Sequence, residues 1–246
     1  MKKKLRFKYK NFFSIILFIV FLSLFIFSLV KILNWRKNNK ENSKINEVTH
    51  KYINTDSNEK FKIDFEKLKE MNSDTVAYIK VNNTNIDYVV VRGEDNKYYL
   101  EHNFDKKSNK SGWIFMDYNN KLDGTDKNIV IYGHNTIDKS MFGSLKYTIE
   151  PDWYKNENNY KLILATPDEV YTYQVFSTYK IDNEEYYITT SFASNEEFNK
   201  FIKTIKKRSK YNYGVEVTED DQILTLSTCA NNGKKRVVLH AKRVVE

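Results

Sequence analysis

Cysteine occurs once among the 246 residues and histidine four times. A single cysteine excludes an internal disulfide, so no covalent cross-link holds this fold together. In an exported chain an odd thiol points to intermolecular pairing or to a reactive group. Charge is absent from residues 11–30, "NFFSIILFIVFLSLFIFSLV". Twenty apolar-dominated residues, each rising about 1.5 Å, cover roughly the 30 Å of a bilayer's hydrocarbon, which predicts a transmembrane helix. The stretch is long for a signal-peptide core, and no small-x-small cleavage pattern comes after it in "VKILNWRK". An excess of positive charge is also missing from most of the chain. Residues 1–44 carry eleven Lys and Arg against one acid, whereas the remainder carries 29 against 31, so the formal +8 belongs to the apolar segment and its flanks. No nucleic-acid partner is expected from such a distribution.

Six of the first ten residues are Lys or Arg, which by the positive-inside tendency leaves them in the cytoplasm and exports the remainder of the chain. The expected organisation is a basic cytoplasmic tail at 1–10, a membrane anchor at 11–33, a polar stalk at 34–60 and an extracellular domain at 61–246. The stalk, "NWRKNNKENSKINEVTHKYINTDSNEK", lacks apolar periodicity and reads as a poorly ordered lead-in, with a partly helical one as the alternative. In "FKIDFEKLKEMN" the three-residue spacing of Phe65, Leu68 and Met71 predicts a short amphipathic helix. From Val76 the texture changes to short β-branched and aromatic runs, among them "VAYIKV", "NIVIYG", "YKLILAT", "QILTLSTC" and "RVVLHAKRVV". Polar turn clusters separate them, which predicts a mostly β domain, a mixed sheet or a barrel. One segment departs from that texture. "SNEEFNKFIKTIKKRSK" puts Phe198, Phe201, Ile202 and Ile205 on one helical face and spaces Ser194 and Glu197 as a capping box.

The chemistry-bearing residues are few enough to weigh singly. Strand alternation puts Ile223, Thr225, Ser227 and Cys229 on one face, with Cys229 where the strand runs out. A free cysteine is commonly a small buried hydrophobe. As a nucleophile it needs a base or proton donor and a group that stabilises an oxyanion. His134 comes after "NIVIYG" at the end of an apolar strand and a glycine, a place where catalytic side chains are presented, and its plain alternative is a turn histidine. His240 lies inside the last strand and reads as a filler of that strand. Arg236 opens the same strand. Its charged fork beside a thiol suits a substrate carbonyl with developing negative charge, and the alternative is a surface salt bridge.

The string "TLSTC" at 225–229, with "YGHN" at 132–135 and an arginine opening the final strand, closely resembles the sortase transpeptidases. The anchor-first layout is similar, and the likeness runs over roughly residues 62–246. The helix at 194–209 and "IFMDY" resemble class B of that family. The resemblance implies a closed β-barrel with an N-terminal helical segment and a helix between two late strands. It implies that Cys229 is the nucleophile, His134 the general acid and base, and Arg236 the oxyanion-stabilising group. Asn96, Leu100, Tyr187, Ile188 and Ser227 match positions that line the family's peptide groove. Each has a plain alternative: Leu100 and Ile188 as core, Tyr187 as a packed aromatic, Asn96 as a turn former and Ser227 as a strand spacer. No acidic residue stands between Cys229 and Arg236 as it does in some relatives, so no carboxylate is assigned to a triad, and Asn135 is the neighbour available to orient the histidine.

The implied reaction cleaves a sorting signal of Asn-Pro-x-Thr type after threonine and passes the acyl group to an amine of peptidoglycan or its lipid-linked precursor. It needs no cofactor and no metal. The implied partners are secreted proteins bearing the signal, the acceptor amine and the membrane. Two other readings stay open: a sortase-like binding module without turnover, and a cysteine peptidase using water as acceptor. A papain-like order is disfavoured, because His134 precedes Cys229 by 95 residues.

Overall fold

The computed structural model describes residues 2–54, 61–230 and 233–244, with the side chains of 2–11, 229 and 230 outside the description. The chain forms two compact units, Met1–Glu41 and Asn42–Glu246. The first unit is helical throughout its described length. Helix α1 (Lys2–Thr49) carries the charge-free segment, and its side chains from Phe12 to Leu33 are exposed. Among the described residues this is one helix long and apolar enough to cross a membrane, by length and composition.

The helix continues where the sequence reads as a stalk. Its last turns belong to the second unit, where Asn42, Ile45 and Thr49 are buried at helical spacing. Asn42 donates to the Gly112 carbonyl at 2.9 Å and accepts from the Asn109 amide at 3.0 Å. Two of the three anchoring residues are polar, so hydrophobic periodicity passes over this helix. Next come a short strand pair, β1 (Ile53–Asn54) and β2 (Lys62–Ile63), and then α2 (Phe65–Met71), whose first turn is capped by the Asp64 carboxylate accepting from Lys67 N.

Eight strands then close a barrel: β3 (Thr75–Val81), β4 (Asp87–Val91), β5 (Phe115–Met116), β6 (Asn128–Gly133), β7 (Lys161–Ala165), β8 (Val170–Asp182), β9 (Ile223–Ala230) and β10 (Lys235–Arg243). The order around the barrel is β10-β8-β7-β3-β4-β5-β6-β9, and closure leaves no edge strand to template aggregation. Most pairs are antiparallel. The exceptions are β4 with β5 and β6 with β9, and the second of these places the ends of "NIVIYG" and "TLSTC" side by side.

Two helices interrupt the strands. A short α3 (Pro151–Tyr154) precedes β7, and α4 (Asn195–Lys207) joins β8 to β9. Half of the predicted capping box forms as expected, with Ser194 Oγ accepting from Glu197 N at 3.3 Å, while Glu197 reaches one residue further back and accepts from Ala193 N at 2.6 Å. Its apolar face buries Phe198, Phe201, Ile202 and Ile205 against Phe176, Tyr179, Tyr187 and Val238. Burying four such side chains contributes on the order of 1.5–3 kcal/mol each before entropy is counted. That cluster supports the 183–189 segment from outside the barrel.

Candidate active site

The site is assembled where β6, β9 and β10 meet. Strands β6 and β9 run in parallel register, with Tyr132 beside Ser227 and Gly133 beside Thr228. The residues next in the chain after those last partners are His134 and Cys229. On the other side of β9, Cys229 is the antiparallel partner of Arg236. The backbone ladder alone therefore brings the three sequence-selected residues to one end of the barrel. The Cys229 side chain lies outside the described residues.

Two glycines allow the close packing around the histidine. A Cβ on Gly133 would stand 2.5 Å from Ile114 Cδ1 and 2.7 Å from Phe142 Cγ, so the strand passes its neighbours with no space for a side chain. Close packing is what this glycine serves. Gly112 has φ +58, and a Cβ there would collide with the Tyr99 carbonyl and come within 3.0 Å of His134 Cδ2. The ring is fixed by its Nε2, 2.8 Å from the carbonyl oxygen of Leu100. A carbonyl only accepts, so Nε2 carries a proton and Nδ1 is the nitrogen left to exchange one. The sequence suggested Asn135 for this orienting task; the recorded partner is a main-chain group, which side-chain identity does not advertise.

His134 and Arg236 line one cavity of about 370 Å³. All five residues carried over for the groove line it with them: Asn96, Leu100, Tyr187, Ile188 and Ser227. Leu100 and Ile188 also pack against the two apolar clusters, so lining the cavity and belonging to the core are one placement. The Tyr187 and Ser227 hydroxyls lie 2.9 Å apart, joining the segment after β8 to β9. Asn96 donates to the Asp117 carboxylate at 2.8 Å and accepts from Tyr118 N at 3.0 Å. Both ends of its amide are thus occupied within the wall.

The structure adds lining residues that the sequence did not single out, chiefly Tyr132, Asn183, Glu184 and Thr228. Tyr132 donates to Asp117 at 2.7 Å. Burial, and then the Asp117 charge, raises its phenol above the ordinary range, so it stays a neutral donor. Period-two alternation in "NIVIYG" was the signal available for Tyr132. Arg236 Nη1 donates to the carbonyls of Gly233 at 2.8 Å and Lys235 at 3.2 Å, which fixes the start of β10 and leaves the rest of the fork available.

The remaining histidines stand apart from the cavity. His50 meets Asp87, and His102 stacks on Tyr98 with centroids 4.0 Å apart. His240 is fully buried in β10, as its strand-filler reading expects, between the Tyr179 hydroxyl and Thr225 Oγ1 at 2.8 Å each. Among the described residues no cluster of three or more His, Cys, Asp or Glu is placed to hold a metal ion.

Comparison with known proteins gives this arrangement its class. Residues 79–244 match the model of the sortase domain. The chain is 32% identical to the sortase B of Listeria monocytogenes over 247 residues, which span 97% of this chain and 100% of that one. It is 30% identical to the sortase B of Staphylococcus aureus over 239 residues, 95% of this chain and 97% of the other. The crystal structure of sortase B from B. anthracis superposes with a TM-score of 0.76 at 34% identity, covering 85% of this chain and 99% of that one. A closed mixed barrel of this kind, with such relatives, defines a cysteine transpeptidase of the cell surface. The chain belongs to the sortase family, and its kinship within that family is with the sortases B.

Proposed function

We propose that the chain is a membrane-anchored transpeptidase that cuts a sorting signal of Asn-Pro-x-Thr type after its threonine and joins the released carbonyl to a cell-wall amine. The observation that carries the assignment is the strand register, which pairs Cys229 with Arg236 and ends one residue short of His134 beside Cys229. Cys229 as thiolate attacks the carbonyl carbon after threonine. The oxygen takes the negative charge of the tetrahedral intermediate, and the free N–H groups of Arg236 stabilise it. The C–N bond breaks as His134 gives a proton to the leaving amine, and a thioester on Cys229 remains. An amine of peptidoglycan or of its lipid-linked precursor then attacks the thioester while His134 takes up its proton. A second tetrahedral intermediate collapses to an amide and returns the thiolate. Water in place of the amine gives hydrolysis through the same intermediate.

Asn96, Leu100, Tyr187, Ile188 and Ser227 form the peptide groove in this reading, since they surround the cavity that His134 and Arg236 share. Residues 1–10 stay in the cytoplasm, 11–33 cross the membrane, and the catalytic unit lies outside. The polar segment after the span is a short helical connection, because residues from Asn42 onward already pack within the second compact unit. Tethering brings enzyme, exported substrate and lipid-linked acceptor to one surface and raises their effective concentration.

The test uses the full chain in detergent micelles with quenched fluorescent peptides carrying Asn-Pro-x-Thr or Leu-Pro-x-Thr, with and without added amines. Cleavage of the Asn-Pro-x-Thr peptides after threonine, with product joined to the amine, is the expected result. Preference for the leucine series would overturn the proposed signal, and cleavage that never yields an amine adduct would overturn transpeptidation in favour of hydrolysis.

A further inference from the structure

The wall of the cavity formed by residues 183–189 has no strand or helix of its own beyond one 3-10 turn, Tyr186–Ile188, yet several of its residues face the site. Its support comes from buried polar groups that the reaction does not use. Asn128, Thr225 and His240 are fully buried, and Tyr179 nearly so.

Their hydrogen bonds run in one direction. Thr225 Oγ1 donates its proton to Asn128 Oδ1 at 2.7 Å, so it accepts from His240 Nδ1 at 2.8 Å. Burial first, and then the nearby Arg208 charge, pushes the pKa of His240 down to about 3, so the ring is neutral. A neutral ring with its proton on Nδ1 leaves Nε2 to accept from the Tyr179 hydroxyl, 2.8 Å away, and the Arg208 charge acts on both groups. The amide end of Asn128 then donates to the Thr189 carbonyl at 2.9 Å. A chain that begins at Tyr179, under the charge of Arg208, thus finishes on the wall segment.

The same arginine holds the other end of that segment directly. Arg208 Nη1 lies 2.5 Å from Glu184 Oε1, and its guanidinium stands over the Tyr186 ring at 5.3 Å. We propose that Arg208, Tyr179, His240, Thr225 and Asn128 form a positioning relay that pins both ends of the 184–189 wall and so sets the width of the peptide groove. These are positioning residues; none of them lines the cavity. A half-satisfied buried network costs more than an apolar core, so the relay acts as a unit: breaking one link leaves donors and acceptors unpaired on both sides.

The inference rests on reading the cavity as the peptide groove, and its test has one arm that does not. Amide hydrogen exchange on the full chain in micelles reads the wall itself, where Ile188 N donates to Glu185 O and Thr189 N to Tyr186 O. Thr225→Val removes the middle hydroxyl at nearly constant volume, Thr225→Ser keeps it, and Arg208→Ala removes the charge at the start of the relay together with the Glu184 pin. The relay predicts that exchange at 188 and 189 quickens about tenfold in Thr225→Val and Arg208→Ala and stays slow in Thr225→Ser. It also predicts that KM for the sorting peptide rises about fivefold or more while kcat stays within about twofold, because ground-state binding is what is lost. Unchanged exchange at 188 and 189 in both variants would overturn it, as would a serine variant no better than valine or a fall in kcat at constant KM. If Thr225→Val does not fold, Arg208→Ala, at a partly exposed position, decides alone. If the wild-type chain cleaves no peptide, the groove reading has failed and the exchange arm still decides the relay.

Discussion

Replacing His134 with alanine removes the only histidine that lines the cavity among the described residues, and turnover of the sorting peptide is expected to fall by about 10²–10⁴, measured as kcat/KM. Activity within about twofold of wild type would take the proton-transfer role from this residue. Arg236→Lys keeps the charge and loses the planar fork, so a loss of about 10²–10³ is expected, while near-normal turnover would leave Arg236 a structural clamp on its two carbonyls. Cys229, His134 and Arg236 could be singled out in the sequence because candidates for nucleophile, base and fixed cation are scarce residue types set at strand ends, and the strand register brings the three positions together. Leu100 was legible as a side chain and not as the carbonyl that orients the histidine, since every residue owns such a carbonyl. The clasp of Asn96 and Tyr132 on Asp117 escaped notice because it joins three stretches that only the barrel brings together. His240 supplies a pH dependence of stability. The unfolded chain protonates this ring near 6.5, whereas the native state holds it neutral to about 3. As pH falls below 6.5 the unfolded state binds more protons, and stability drops by about 1.4 kcal/mol per pH unit until the native ring protonates as well. Thermal midpoints of the full chain should therefore fall between pH 6.5 and 4, and less steeply in His240→Gln. Parallel curves would remove His240 as the cause.

Among elements, α4 was read with its cap and its apolar face because a helix of this length repeats its pattern over several turns. Phe201→Ala should cost about 3–5 kcal/mol in chemical denaturation, since the ring is buried among Phe192, Phe198 and Tyr186. Ser194→Ala should cost only about 0.5–2 kcal/mol, from one lost cap. Equal effects from the two would mean that the face packs less tightly than the cluster implies. Strand existence was legible almost everywhere through β-branched and aromatic runs, whereas the parallel pairing of β6 with β9 was not, because parallel partners lie far apart in the chain. The burial of the last turns of α1 was missed for a different reason. Their buried face is built from Asn42 and Thr49 beside a single isoleucine, and no hydrophobic pattern marks such a face. Gly133→Ala tests how closely β6 approaches its neighbours: the added methyl meets Ile114 and Phe142, so overpacking of about 1–3 kcal/mol is expected. A stable, fully active variant would show that the strand end has slack.

At the scale of the whole molecule, register and anchor do separate work. Closure of the barrel fixes where the ends of β6, β9 and β10 meet, and the site results from that closure with no need for a long-range contact of its own. In the proposed function the charge-free helix acts through location, holding the enzyme where exported substrates and lipid-linked amines gather. The length and apolar character of this helix were legible from composition alone, and they match one helix long and apolar enough to cross a membrane among the described residues. Resemblance to a family picked out residues that the structure gathers around one cavity, five of them on its wall, whereas groove width was not legible, because it depends on contacts between elements distant in sequence. The most direct test of the central claim is the intact mass of the full chain after brief mixing with an Asn-Pro-x-Thr peptide in the absence of amine. The account predicts a chain heavier by the acyl fragment ending in threonine, an adduct that disappears when an amine is added and never forms in Cys229→Ala. Cleavage of the peptide by Cys229→Ala, or an adduct mapped to any other residue, would contradict it.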